Sequence, residues 1–352
     1  MPDYDEAALY YDIGLTYERG DGVVQSDDEA LIWYQEAAEL GSLEARHSLG
    51  LFHEFGRGVT EDAEEAARWY RRAADAGHAA SQHRLGLLYK TGNGVERDPA
   101  EAARGFRKAA ENGWPAAQLE LGIAYDRGNG VEKDAARAVS WFRRAAEWHS
   151  ASAQYYLGLA HARGTGAPRS DVRAAYWYHL AATQGSVQAQ LELGVLYAHG
   201  RGVRQSDEEA ADWFRLAADS GNTVAQFNLG VFYANGRGVE KSDGEALYWY
   251  RLAAEQGYNN ALNNLAAFYE HGRAVARSEG EAFKLYEKAA EAGFPAAQCN
   301  LARLYELGRG VEASLEDARH WYEKAAAGGS RLARKALQRI EDTPVAAVKA
   351  EK

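Results

Sequence analysis

Residues 186–221 read SVQAQLELGVLYAHGRGVRQSDEEAADWFRLAADSG, and the apolar positions fall into two helical runs on either side of a glycine-rich turn. Ala189, Leu193, Leu196 and Tyr197 recur at three- and four-residue spacing, which predicts a helix over about Val187 to His199 with one apolar face. Gly200-Arg201-Gly202 interrupts it. The first glycine suits a left-handed residue closing a helix, and the second permits a sharp reversal. Ser206 is a strong N-cap because its hydroxyl accepts a free amide hydrogen of the first turn. A second helix then runs through Ala210, Trp213, Phe214, Ala217 and Ala218 to a stop at Gly221. Two helices cannot cover their own apolar faces, so further copies must stack on them.

Further copies are present. A helix-interior glycine stands at Gly14, Gly50, Gly86, Gly122, Gly158, Gly194 and Gly230, and alanine continues the series at Ala266 and Ala302, always at 36-residue steps. Trp33, Trp69, Trp141, Trp177, Trp213, Trp249 and Trp321 keep the same register. Ser or Asp occupies the Ser206 position in every copy, and six copies place Glu three residues later, the pattern of a capping box. Glycine inside a helix costs about 1 kcal/mol relative to alanine, which is offset where backbones approach closely. The expected neighbours at that approach are the Trp and the Ala-Ala pair. The repeats are 6–41, 42–77, 78–113, 114–149, 150–185, 186–221, 222–257, 258–293 and 294–329. Residues 330–341 read as a capping helix, making 1–341 one array, and 342–352 as a disordered tail.

The composition agrees with a folded array and narrows its partners. The chain is 46% hydrophobic and 26% charged, outside the disordered range, with no apolar run of membrane-spanning length. A net charge of −11 disfavours nucleic acid. That charge is concentrated: residues 1–41 hold eleven Asp or Glu and one Arg, while the remainder is nearly balanced. A single cysteine, Cys299, excludes an internal disulfide framework. An acidic N-terminus without an apolar segment points to the cytoplasm, or to the periplasm if a signal has been removed. Thirty arginines against ten lysines suggest a bacterial source.

The composite pattern A-x-x-x-L-G-x-x-Y-x-x-G-x-G-V, then a cap, A-x-x-W-Y and A-A-x-x-G, is matched nearly throughout from Ala225-Gln226 to Gly257. It resembles the Sel-one-like repeat, a relative of the tetratricopeptide repeat, over about residues 6–341. The resemblance implies an all-α fold, a right-handed α-hairpin solenoid of nine helix-turn-helix repeats with a C-terminal capping helix. It also implies an adaptor for other proteins, without naming the partner.

Three positions depart from the pattern. Gly105 replaces the tryptophan of the third repeat and leaves room for a large side chain; Leu285 replaces it in the eighth. His149, after Trp148, stands where a helix-ending glycine belongs and would be modestly strained at positive φ. Drift in a redundant array explains these changes, and a local bend at 149 is the alternative.

No chemistry declares itself. The Gly-x-Gly pairs lack the strand context and the G-x-G-x-x-G or G-K-Ser/Thr extension of phosphate loops. There is no H-E-x-x-H, and the matching residues His47 and His83 belong to different repeats, too far apart to share a zinc ion. No catalysis, metal or cofactor is expected.

By analogy with tetratricopeptide arrays, the first helices line a concave wall whose variable positions meet the partner. One row contains Tyr11, His47, His83, Tyr155 and Asn263; its neighbour contains Asp12, Arg84, Glu120, Tyr156, Glu192, Asn228, Asn264 and Asn300. Asparagine amides donate and accept together, so Asn228, Asn264 and Asn300 suit the backbone of an extended peptide. Tyr156 and Tyr155 are candidate aromatic anchors, or alternatively pack against a neighbouring helix. Asp12 and Glu120, with the groove-edge row Glu18, Glu54 and Asp126, would favour a basic segment of the partner near the first repeats, unless they form only a solvated face. The expected function is therefore a non-catalytic protein- or peptide-binding adaptor; the alternative is an assembly subunit using its outer face or ends.

Overall fold

The computed structural model describes residues 6–342, which divide into two compact units, one up to Gln184 and one from Gly185. Among the described residues there are nineteen α-helices and no strand. The first unit contains α1 (Glu6–Arg19), α2 (Asp27–Glu39), α3 (Leu43–Phe55), α4 (Ala63–Asp75), α5 (Ala79–Thr91), α6 (Pro99–Glu111), α7 (Pro115–Arg127), α8 (Ala135–Glu147), α9 (Ala151–Arg163) and α10 (Asp171–Thr183). The second contains α11 (Val187–His199), α12 (Asp207–Asp219), α13 (Thr223–Asn235), α14 (Asp243–Glu255), α15 (Asn259–His271), α16 (Glu279–Glu291), α17 (Pro295–Leu307), α18 (Leu315–Ala327) and α19 (Arg331–Asp342). Within each unit every helix packs on the next in the chain, as expected of an α-hairpin solenoid. The capping helix falls one residue later than expected, because the Ser330 hydroxyl caps it by accepting the Ala333 amide at 3.2 Å. Residues 343–352 of the expected tail lie outside the described residues.

The turns carry the register. In all nine repeats the N-cap residue of the second helix is tied back to the first: Ser206 N donates to the Tyr197 carbonyl at 3.1 Å, and Asp98 N to Tyr89 at 3.0 Å. This corrects the capping-box reading. The N-cap hydroxyl or carboxylate does accept the amide three residues on, as Ser206 does from Glu209 at 3.1 Å. The N-cap amide, however, is already taken by a first-helix carbonyl, so the third-position Glu has no donor left to accept from. The two glycines of each turn have different tasks. Gly56 closes α3 at φ 64°, whereas a Cβ on Gly58 would lie 2.9 Å from the Asp27 carbonyl of the preceding repeat. Ala274 occupies this second position in the eighth repeat at φ 52°, and His149 holds φ 58°.

The core also differs from expectation in one residue position. The ring over the helix-interior glycine is not the tryptophan but the residue after it. A Cβ on Gly14 would come within 2.6 Å of Tyr34, and one on Gly194 within 2.7 Å of Phe214. Tyr34, Tyr70, Phe106, Phe142, Tyr178, Phe214, Tyr250, Tyr286 and Tyr322 are all buried, and the tryptophans that precede them, Trp249 excepted, are only half-buried. Consecutive residues on a helix point about 100° apart, so only one of the Trp-Tyr pair can face the partner helix squarely.

Candidate functional site

First helices of successive repeats come into contact at or beside the two variable rows at points in each unit. His47 Nδ1 of α3 lies 2.9 Å from Ser81 Oγ of α5, and Asn300 Nδ2 of α17 donates to Asn263 Oδ1 of α15 at 2.9 Å. Every candidate residue on these rows is half-buried except Asp12, which is exposed.

In the second unit the asparagines form a linked set. Asn263 Nδ2 donates to Asn264 Oδ1 at 3.4 Å while its own oxygen receives Asn300. The side chain of Asn228 makes no hydrogen bond among the described residues. Glu192 shares its row and is half-buried.

In the first unit Tyr156 stacks on Phe142, with centroids 4.8 Å apart and planes 9° apart. Tyr155 meets Tyr156 edge-on at 5.6 Å and leans on Tyr178 at 5.9 Å. Both tyrosines are thus packed against neighbouring rings and remain half-buried.

Two histidines on the first row, His47 and His83, are strongly perturbed by burial. His47 and His78 both place Nδ1 on Ser81 Oγ, at 2.9 and 2.8 Å, and their rings lie 4.9 Å apart. Burial, reinforced by the charges of His78, Arg84 and His83, lowers the His47 pKa to about 4. Burial also lowers His83 to about 4, with Arg84 and Lys90 adding to it and Glu120 opposing. Among the described residues no group of three or more His, Cys, Asp or Glu is placed to hold a metal ion.

The acidic residues are mostly matched from within. Glu18 accepts the Tyr34 phenol and pairs with Arg57 at 2.6 Å; Glu54 accepts Tyr70 at 2.5 Å and faces Arg84 at 3.5 Å; Glu120 pairs with Lys90 at 2.7 Å. Asp12 and Asp126 carry no ion pair among the described residues. Sequence reading missed two further members of the groove-edge row, Glu270 and Glu306, which accept from Tyr286 at 3.2 Å and Tyr322 at 2.9 Å. The signal was available: these glutamates precede their tyrosines by 16 residues, as Glu18 and Glu54 do. The other repeats carry Lys90, Asp126 or Ala198 before a phenylalanine, and Ala162 or Ala234 before a tyrosine.

No described helix is long and apolar enough to cross a membrane. The Sel1 repeat family matches nine segments, 7–42, 43–78, 79–114, 115–147, 151–186, 187–222, 223–258, 259–294 and 295–330. The one shortened match ends at Glu147, just before Trp148 and His149. Among solved structures, a protective antigen present in uropathogenic Escherichia coli strains and displaying an SLR fold is 34% identical, with 95% of this chain and 79% of that one covered at a TM-score of 0.76. A Sel1 repeat protein from Oxalobacter formigenes is 31% identical over 90% of this chain and 93% of its own, at a TM-score of 0.66. The tetratricopeptide sensor protein of the STAND ATPase class from Pyrococcus horikoshii, 13% identical with 96% of this chain and 54% of that one covered at a TM-score of 0.52, shares the fold alone. No curated protein matches. Sel1 and related tetratricopeptide-like repeats generally mediate protein–protein interaction. Nine consecutive matches, two relatives above 30% identity and the helix-pair stacking together mean that this chain belongs to the Sel1 repeat family.

Proposed function

We propose that the protein is a non-catalytic adaptor that holds an extended peptide or protein segment against its first-helix wall, in the concave groove. The observation that carries this reading is the amide set of the second unit. Asn263 holds Asn264 and Asn300 in fixed orientations, and Asn228 one repeat earlier has its whole amide unused. An amide has two donor hydrogens and an oxygen with two lone pairs, so the engaged asparagines keep some capacity, and a pre-oriented row loses little entropy on gripping a peptide backbone. Tyr156, its ring supported by Phe142, serves as an aromatic anchor for a side chain of the partner. A basic segment near the first repeats would meet Asp12 and Asp126 directly, whereas Glu18, Glu54 and Glu120 would first have to release Arg57, Arg84 and Lys90.

The test is to select binders from a displayed library of unstructured peptides, then titrate the best into wild type and an Asn228→Ala, Asn300→Ala variant by calorimetry. Affinity is expected to fall about tenfold or more, since each lost hydrogen bond is worth about 0.5–1.5 kcal/mol, with helicity unchanged. Equal affinity for both proteins would refute the groove assignment.

A further inference from the structure

The third repeat lacks its tryptophan, and the structure keeps much of the space that the indole would fill. A cavity of about 160 Å³ lies between α4, α5 and α6, lined by Ala74, Leu85, Gly86 and Gly105, with Arg71 and Lys108 among its rim groups. Cavities of roughly 150 Å³ hold a benzene-sized guest. At Gly105 itself the backbones are close: a Cβ there would lie 2.9 Å from the Gln82 carbonyl oxygen and 3.4 Å from Gly86 Cα.

The next repeat shows what this space is shaped for. Its walls are the same, one period on: Arg107 donates to Tyr125 at 3.0 Å, as Arg71 donates to Tyr89 at 3.0 Å. There the indole of Trp141 packs half-buried against the apolar cluster that includes Ala110, Leu121 and Tyr125. A cation three residues further along the helix then covers the indole face. Arg144 stands 4.6 Å from the Trp141 ring centre, Arg72 stands 4.6 Å from Trp69, and Lys324 stands 4.3 Å from Trp321. In the third repeat this cation remains, as Lys108, with no ring beneath it.

We propose that this notch is a receptor for one aromatic side chain, a tryptophan presented by a partner polypeptide. The guest slides its indole between Leu85 and Ala74, in place of the ring missing at Gly105, and Lys108 closes over its outer face as a cation–π partner. The contact belongs to a different surface from the first-helix wall and stands or falls separately from it. It gives the adaptor a second point of attachment between its second and third repeats, which raises affinity through effective concentration when one partner reaches both.

The probe is N-acetyl-tryptophanamide, which presents the side chain as it occurs within a polypeptide, followed by the methyl NMR signals of Leu85 and Ala74 in the full chain. Saturable shifts at these methyls are expected at millimolar concentrations, with N-acetyl-leucinamide producing much weaker ones. Lys108→Ala should weaken binding about two- to five-fold and Lys108→Glu more strongly, because an anion is repelled by the ring face. Lys108 is exposed, so both variants should keep the wild-type melting temperature. Absence of saturation, equal response to the leucine probe, or indifference to both substitutions would overturn the proposal.

Discussion

Glu270 and Arg303, 33 residues apart on the first helices of neighbouring repeats, form a two-pronged ion pair with N–O distances of 2.8 and 2.7 Å. The carboxylate side chain is 1% exposed and also accepts the Tyr286 phenol, so one buried charge joins three helices. Burial pushes the Glu270 pKa up, but hydrogen bonding to Arg303 and its charge, with His271 and Tyr286, outweigh this and leave it lowered. Replacement by alanine strands Arg303 and the phenol. Glu270→Ala should cost about 2–4 kcal/mol, somewhat less than a fully buried pair because Arg303 keeps contact with water. Chemical denaturation checks this, and Arg303→Leu in the same background should recover part of the loss.

Acid should loosen the second and third repeats before carboxylates alone would. An unfolded histidine titrates near 6.5, whereas His47 and His83 are held at about 4 in the fold. Below pH 6.5 the unfolded chain therefore binds protons that the folded chain refuses, and stability falls until the pH reaches about 4. Each histidine can contribute at most about 1.4 kcal/mol per pH unit across that window, and nothing above it. Urea midpoints at pH 7.5, 5.5 and 4.5 should fall less steeply for His47→Gln, which keeps a hydrogen-bonding group near Ser81 and removes one titration.

A buried oxygen offers a route to greater stability. Gln154 Oε1 receives Gln184 at 2.7 Å, and Gln226 Oε1 receives Gln256 at 2.8 Å, each donor lying 30 residues on. Gln82 Oε1 is buried without a partner, and the residue 30 positions on is Asn112, one methylene shorter. Asn112→Gln should raise stability by about 0.5–1.5 kcal/mol, measured as a higher melting temperature. In Gln82→Leu the gain should vanish.

Ala274 at φ 52° adopts a conformation that alanine disfavours. Ala274→Gly should stabilise by about 0.5–1 kcal/mol after the extra chain entropy of glycine is subtracted. His149→Gly, at φ 58°, should do likewise. Calorimetric scanning of each single variant provides the comparison.

Helix positions were legible because caps and stops are local. Val187 to His199 is the observed α11, and Ser206 caps α12 as read. What stayed hidden depends on how copies seat on one another. Choosing between Trp213 and Phe214 as the ring over Gly194 requires the rotation of α12 about its axis, which apolar spacing fixes only to within one residue. Pairs such as Arg237 with Asp207, 2.6 Å apart and 30 residues distant, become visible only once the stacking register is known. Likewise the asparagines read as free groove amides, and only the distance from Asn263 to Asn300 shows that part of their capacity is used internally.

The abutment of Gly58 on the Asp27 carbonyl has a consequence for how such a chain can grow. Such a turn is gauged at once against its own N-cap and against the start of the preceding second helix, so adding even one residue there would put both fits out of step. Whole modules can be gained or lost by duplication or excision, since every new joint reproduces the old ones. Lengthening is therefore quantised, and the interval between glycines has been held as constant as the teeth of a gear.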